Sequence, residues 1–500
     1  MRKWLLNKRC GFALLAGAIT PLAFAPFHLW PIALISPAIL FWLIRYQAPT
    51  PAFWTGWSFG AGLFGTGVSW VYVSISQFSA TPALLAAAMT AVFVATLALF
   101  FATQSWLYAR LNQPYRYGAL TFIGLWVLFE WLRGWLFTGF PWLLQGYPLL
   151  DSPLRAWAPI GGIWLLSFIA VAISVACACL YNAKSRRQRG WIALGLSACL
   201  GTFLLPSNWT QSVGNPHSVA VVQANIPQDM KWDKRYLPEI IDRYIQLTAE
   251  HTDAELIIWP ETAVPEIIYN AEPMLAAFLS ALESQDRTLI SGIPSIEFDR
   301  SHPDGYRVHN SLSVLTGIMN TYHKQRLVPF GEYVPFEKQV RGLTAFFDLP
   351  MSSFSLPPAD QKPLFTSQHK IAAAICYEIA YPELVAASAQ QADWILTVSN
   401  DTWFSHTLAP AQHLQIAQLR ALENGRWIVR STNNGITALI NHHGEITESI
   451  PSYQEGVLRG EIERREGLTP YQRWGNMPTL LASLALVLVS AVRLRRTKSS

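Results

Sequence analysis

Three short stretches hold side chains suited to acyl transfer. "AAICYEIAYP" (373–382) sets Cys376 beside Tyr377 and Glu378, "AELIIWPE" (254–261) ends on Glu261, and "YHKQRLVPFGEYVP" (322–335) contains Lys324 and Glu332. A thiol with a pKa near about 8.5 is mostly protonated at neutral pH, so attack by its sulfur needs a base or a nearby cation. A glutamate within hydrogen-bond reach can take the proton. A lysine can stabilise both the thiolate and the oxyanion of a tetrahedral intermediate. Glu, Lys and Cys are therefore a chemically complete set for acyl transfer. Linear spacing does not show that they converge. The competing reading is a solvated Glu261 and Lys324, with Cys376 as a small hydrophobe in a core.

Cysteine usage sharpens the question. Of Cys10, Cys177, Cys179, Cys199 and Cys376, the first four lie in or beside long apolar segments. Cys376 is alone in the large polar region, with no disulfide partner there and no CxxC spacing to suggest zinc. His406 and His413 lie seven apart, but no carboxylate or thiol completes a metal site around them. We expect neither metal nor cofactor.

The elements that must position these residues are short and β-rich. Strand-like runs occur at 218–226, 254–261, 287–296, 310–317, 370–378 and 392–401, and "RWIVRSTNNGITALIN" (426–441) reads as two strands around an Asn-Gly turn. Helical stretches at 234–250, 271–284 and 408–425 lie between some of them. This alternation predicts a layered α/β core, with the candidate residues at strand ends, where a rigid scaffold positions loops. No G-x-G-x-x-G or Walker pattern follows a strand, so dinucleotide and P-loop chemistry lack support.

Composition sets the context. The chain of 500 residues is 51% hydrophobic and only 14% charged, against about 25% charged in soluble domains. That balance points to a membrane protein. The net charge of +5 forms no stripe for nucleic acid, because many of the basic residues sit in short clusters beside apolar runs. Spans are expected near 8–25, 30–46, 54–75, 83–109, 116–137, 157–181, 190–206 and 479–494. With a cytoplasmic N-terminus, eight crossings put every basic cluster on the cytoplasmic side and turn 207–478 outward. The expected domains are 1–206 with seven transmembrane helices, 207–478 as the outward domain, and 479–500 as an eighth helix with a basic tail. Glycines in "GWSFGAGLFGTG" (56–67) suit close helix packing. Glu130 and Arg133 lie on one helix face near a span end, as an interfacial ion pair or a contact for a polar lipid head group.

The ordered motifs carry a resemblance. The insert is similar to nitrilase-superfamily domains, which use a Glu-Lys-Cys triad in an αββα sandwich. The whole chain, spans included, resembles the bacterial inner-membrane apolipoprotein N-acyltransferases of that superfamily. "WPE" matches the base segment at Glu261, "YHKQRLVPFGEYVPF" the lysine segment with Lys324 and Glu332, and "CYE" the nucleophile segment with Cys376, Tyr377 and Glu378. "VQANIPQDMKWD", including Trp232, "SNDTWF" (399–404) and "RSTNNGITALI" (430–440) also match.

The resemblance implies a nitrilase-like αββα domain inserted into an eight-helix transmembrane bundle, with that domain in the periplasm. It implies two half-reactions. Cys376 takes the sn-1 acyl chain of a phospholipid, mainly phosphatidylethanolamine, as a thioester. The chain then passes to the N-terminal α-amine of an S-diacylglyceryl-cysteine apolipoprotein. A monomer is implied. Glu332 either orients Lys324 or assists proton transfer, and Glu378 is a candidate to hold the architecture around the thiol. Trp232, Phe336, Phe346, Phe347 and Trp403 are candidates for a lid or lipid entrance, or else pack the insert against the membrane. A membrane-bound amidase or hydrolase of the same superfamily, and a transporter, remain the alternatives.

Overall fold

The computed structural model describes residues 2–78, 81–111, 118–180, 195, 197, 199–251, 253–301, 305–329, 331–333, 354–357 and 361–498. Its first part is helical: Arg2–Ile19, Ile32–Ile44, Pro49–Gly67, Val71–Phe78, Ala83–Leu111, Gly118–Arg133 and Ala158–Leu180, with Met477–Lys498 returning at the end of the chain. Glycines let three of these helices touch along their backbones. A Cβ on Gly60 would sit 2.8 Å from the Cα of Ala98, and one on Gly62 would overlap the carbonyl of Leu14.

Among the described residues, two helices are both long and apolar enough to cross a bilayer, Ala83–Leu111 and Pro153–Cys179. Ile32–Ile44 and Met477–Val492 are apolar but shorter. At 1.5 Å per residue, the 13 residues of Ile32–Ile44 reach about 20 Å, short of a core of about 30 Å. Arg2–Ile19 carries Arg2, Lys3, Lys8 and Arg9 in its first half. Of the expected span at 190–206, residues 190–194, 196 and 198 lie outside the described residues.

The α/β part is two six-stranded sheets packed face to face. In the first, the order is Ile446–Ile450, Thr437–Ile440, Ile428–Thr432, Trp394–Ser399, Lys370–Ile375 and Leu364–Phe365. Three of its four inner strands, Ile428–Thr432, Trp394–Ser399 and Lys370–Ile375, are parallel, with Ile375 opposite Val398. In the second, the order is Gly456–Ile462, His217–Gln223, Leu256–Ile258, Thr288–Gly292, Ser311–Val314 and Asn320–His323. His217–Gln223, Leu256–Ile258 and Thr288–Gly292 run parallel, with Ile258 between Val221 and Ile290.

Alternation along each strand builds the layers. Val219, Val221, Ile258 and Ile290 meet Ile371, Ala373, Ile375, Leu396 and Val429 between the sheets. Their neighbours Val222, Ile257 and Leu289 face outward against Ile240, Ile241 and Tyr244 of Leu237–Ala249 and Leu275 of Ile268–Ser284. On the other side, Ala372, Ala374 and Ile395 pack under the helices Pro382–Ala389 and Ala409–Asn424. The result is an αββα sandwich. That outer core is continuous with the helical part through Trp126, Trp142 and Ile163. The helix Ala409–Asn424 is buried on every side, with all its residues covered except Ala411 and Gln418. The short strand Asn320–His323 and the weakly alternating Gly456–Ile462 lay outside the sequence reading, because their pattern is set by neighbours rather than by hydrophobic period.

Candidate active site

The parallel strands of both sheets end at one place, and the loops leaving them carry the charged side chains. Glu261 follows Leu256–Ile258 by three residues. Lys324 immediately follows Asn320–His323, and Cys376 immediately follows Lys370–Ile375. Gly292 makes room for the Glu261 loop. A Cβ there would stand 2.6 Å from the Glu261 Cα and overlap the Pro260 carbonyl.

Glu261, Lys324 and Glu332 form one buried unit. The Lys324 Nζ donates to Glu332 Oε1 at 2.8 Å and to Glu261 Oε1 at 3.3 Å. The Nδ2 of Asn310 donates to the same two oxygens, at 2.8 Å to Glu261 and 2.9 Å to Glu332. The backbone N–H of Asn400 donates to Glu261 Oε2 at 2.8 Å, and that of Val328 to Glu332 Oε2 at 2.9 Å. Every carboxylate oxygen of the pair is thus engaged. Burial works against the Lys324 ammonium, but Glu332 and Glu261 outweigh it and hold the pKa above its ordinary value.

Cys376 sits at a sharp turn from strand to 3-10 helix, with φ at +54°. A non-glycine residue in that region is strained, and such strain collects at functional sites. Burial pushes the thiol well above its ordinary range. Glu261 adds to that shift, while Lys324 and a hydrogen bond with Ser399 oppose it. The resting group is therefore a neutral thiol within the field of the Glu261–Lys324 pair, suited to losing its proton as it attacks.

The remaining candidates divide by position. Glu378 Oε1 accepts from the backbone N–H groups of Gln325 (2.5 Å) and Arg326 (3.1 Å), and Oε2 accepts from the N–H of Ile375 (2.7 Å) and the hydroxyl of Tyr322 (3.1 Å). It ties the lysine loop to the cysteine turn. Burial raises its pKa to about 7, against the pull of those N–H groups. Tyr377 points the other way. Its hydroxyl donates to the Gly139 carbonyl at 3.0 Å, and its ring stacks at 6.4 Å on Trp142. Trp232 and Trp403 are brought together, both partly buried on an apolar cluster around Leu327 and Phe354. Phe336, Phe346 and Phe347 lie outside the described residues.

Several participants escaped the sequence reading. Asn310 bridges the two carboxylates, although in "VHNSL" it looks like an ordinary strand boundary. His413 Nε2 donates to the Cys376 carbonyl at 3.1 Å, and its Nδ1 faces Arg430 at 3.3 Å. Burial and Arg430 hold this imidazole neutral. Arg430 also donates to Asp401 at 2.7 Å, and Ser399 donates to Asp401 at 2.5 Å. This buried group braces the cysteine turn from behind. Arg133 departs from the lipid-contact reading. It is buried, donates to the carbonyls of Phe140 (2.8 Å) and Trp142 (2.6 Å), and so braces the loop that Tyr377 touches.

Residues 16–176 match the family described as "Apolipoprotein N-acyltransferase N-terminal domain", and residues 218–470 match "Carbon-nitrogen hydrolase". The chain is 45% identical to the apolipoprotein N-acyltransferase of Pseudomonas aeruginosa (strain LESB58), covering 95% of this chain and 94% of that one. It is 45% identical to the one from Azotobacter vinelandii (97% and 94% covered) and 39% identical to the one from Vibrio parahaemolyticus (98% of both). With this likeness running through both the helical part and the αββα sandwich, the chain belongs to the apolipoprotein N-acyltransferase family, membrane-associated acyltransferases built on a carbon-nitrogen hydrolase domain.

Proposed function

We propose that Cys376 is the nucleophile, Glu261 its general base and Lys324 the cation that stabilises the oxyanion. The observation that carries this reading is the buried Glu261–Lys324–Glu332 unit in the field of a strained Cys376. Glu261 takes the thiol proton as sulfur attacks the sn-1 ester of a phospholipid, mainly phosphatidylethanolamine. Lysophospholipid leaves and the acyl chain remains as a thioester. The free α-amine of an S-diacylglyceryl-cysteine apolipoprotein then attacks, Glu261 manages that proton, and the triacylated lipoprotein departs. Glu332 orients Lys324, Glu378 holds the turn, and Tyr377 anchors it to the helical part.

Both substrates keep their tails in lipid. Pulling an acyl chain into water costs about 0.8 kcal/mol per CH₂, so a site at the outer leaflet avoids much of that cost. Trp232 and Trp403 line the proposed lipid entrance, and Phe336, Phe346 and Phe347, outside the described residues, remain candidates for it. The aromatic cluster around Leu327 and Phe354 supports the two tryptophans. The proposed organisation is seven crossings in 1–206, a periplasmic domain at 207–478 and an eighth crossing in 479–500, in a monomer of the bacterial inner membrane with cytoplasmic termini. The alternation of basic clusters along the sequence supports it.

The test is the intact mass of the purified protein after incubation with phosphatidylethanolamine and no amine acceptor. A single acyl-sized gain is expected, lost in Cys376→Ala and removed by neutral hydroxylamine. No gain, with lipid binding demonstrated and the thiol reduced, would count against the thioester and favour hydrolysis or transport.

A further inference from the structure

Lys231 is a charged side chain with no task in the mechanism so far. It ends the short helix Gln228–Lys231 and is only 2% exposed. Its Nζ donates at 3.0 Å to the backbone carbonyl of Glu261. An ammonium buried this deeply is costly unless nearby charge compensates it. The compensating groups are those of the reaction centre, since the Lys231 charge is felt by Glu261 first and then by Cys376.

The charge balance gives it a purpose. Glu261 and Glu332 bring two negative charges, and Lys324 brings one positive. Asp401 and Arg430 form a pair that balances itself. Without Lys231 the centre is left with at least one net negative charge, before the partly ionised Glu378 is counted, beside a thiol whose ionisation would add another. The charged groups that line the small cavity beside Lys231 are already paired. Across the small cavity beside it lie Asp233, Lys234 and Glu266. Asp233 is engaged by Arg235, and Lys234 stands 3.9 Å from Glu266.

We propose that Lys231 is a positioning residue for acyl transfer. Its ammonium neutralises the Glu261–Glu332–Lys324 cluster and lowers the cost of negative charge on the Cys376 sulfur, while its hydrogen bond holds the loop that aims Glu261. This rests on Cys376 being the nucleophile. Burial lowers the Lys231 pKa to about 8, against the upward pull of Glu261 and Cys376. The cation is therefore present at neutral pH and is lost as pH rises through that value.

The test is the pH profile of Cys376 alkylation by iodoacetamide in the full-length, detergent-solubilised protein. It is read from the mass of the Cys376 peptide, because Cys10, Cys177, Cys179 and Cys199 are also free. Lys231→Met is expected to slow alkylation about tenfold at neutral pH, where the wild-type cation is present, and the two profiles should converge above about pH 8, where it is lost. Lys231→Gln, which keeps a donor without charge, should do the same, and Lys231→Arg should keep the wild-type rate at neutral pH. Superimposed profiles in a folded neutral variant overturn the proposal. So does loss of the thermal transition in both neutral variants while Lys231→Arg folds, since the lysine then serves folding alone. Alkylation needs no phospholipid. A shifted profile in a protein that never gains an acyl group would leave the Lys231 field standing and sink the acyl-transfer reading instead.

Discussion

At the scale of single residues, the centre is a problem of holding like charges together. Two carboxylates converge on one ammonium, and Asn310 gives both of them a neutral donor. A hydrogen bond to a charged group contributes about 1.5–3 kcal/mol, which corresponds to roughly 10- to 100-fold in rate if it is needed to aim the base. Asn310→Leu is therefore expected to lower kcat for acyl transfer by that factor while leaving KM for phospholipid close to wild type. A kcat unchanged in the folded variant would show that Lys324 and the backbone N–H groups of Asn400 and Val328 order the pair without it. The sequence could nominate Glu261, Lys324, Glu332 and Cys376, because their residue types suit the chemistry. It could not nominate Asn310 or Lys231, because an amide at a strand boundary and a lysine in a polar loop are ordinary until their partners are known.

At the scale of elements, precision comes from strand ends and from what lets a loop approach them. The N–H of Gly292 donates to the Pro260 carbonyl at 3.2 Å, and the N–H of Trp259 donates to the Ile290 carbonyl at 2.9 Å. These bonds press the Glu261 loop onto the next strand, and only a residue without a Cβ fits there. Gly292→Ala should cost about 1–3 kcal/mol by overpacking and displace Glu261. The expected readouts are a lower Tm and slower thioester formation. A variant with wild-type rates and a lowered Tm would separate the fit of the loop from the aim of the carboxylate.

At the scale of the whole molecule, the sandwich and the helical part share a core. The Trp164 Nε1 donates to Glu383 at 2.9 Å, that of Trp142 to Gln412 at 2.7 Å, and the N–H of Ile163 to Glu423 at 2.7 Å. The hydroxyl of Tyr381 donates to the Thr138 carbonyl at 2.8 Å, beside the Tyr377 contact. A helix buried on all sides needs neighbours on all sides, and this one also buries Gln412, His413, Gln415, Arg420 and Glu423, which need polar partners there. Residues 207–478 expressed alone would therefore expose the outer side of Ala409–Asn424. That fragment should bind a hydrophobic dye and aggregate without detergent. A monodisperse fragment with a cooperative thermal transition would argue that the junction is dispensable for folding.

Along the chain, hydrophobic period and residue type were enough to place most of the sandwich strands, its long helices and the chemically capable side chains. These are local properties, and alternation at period two or near 3.6 reveals them without neighbours. The encounter of Glu261 with Lys324, 63 residues away, was decided only by tertiary structure. So were the second lysine beneath the Glu261 loop and the coupling of Tyr377 to a helical-part loop 238 residues earlier. Such partners are selected by sheet order and by burial, where each polar group must find another, and neither is a property of any window of sequence.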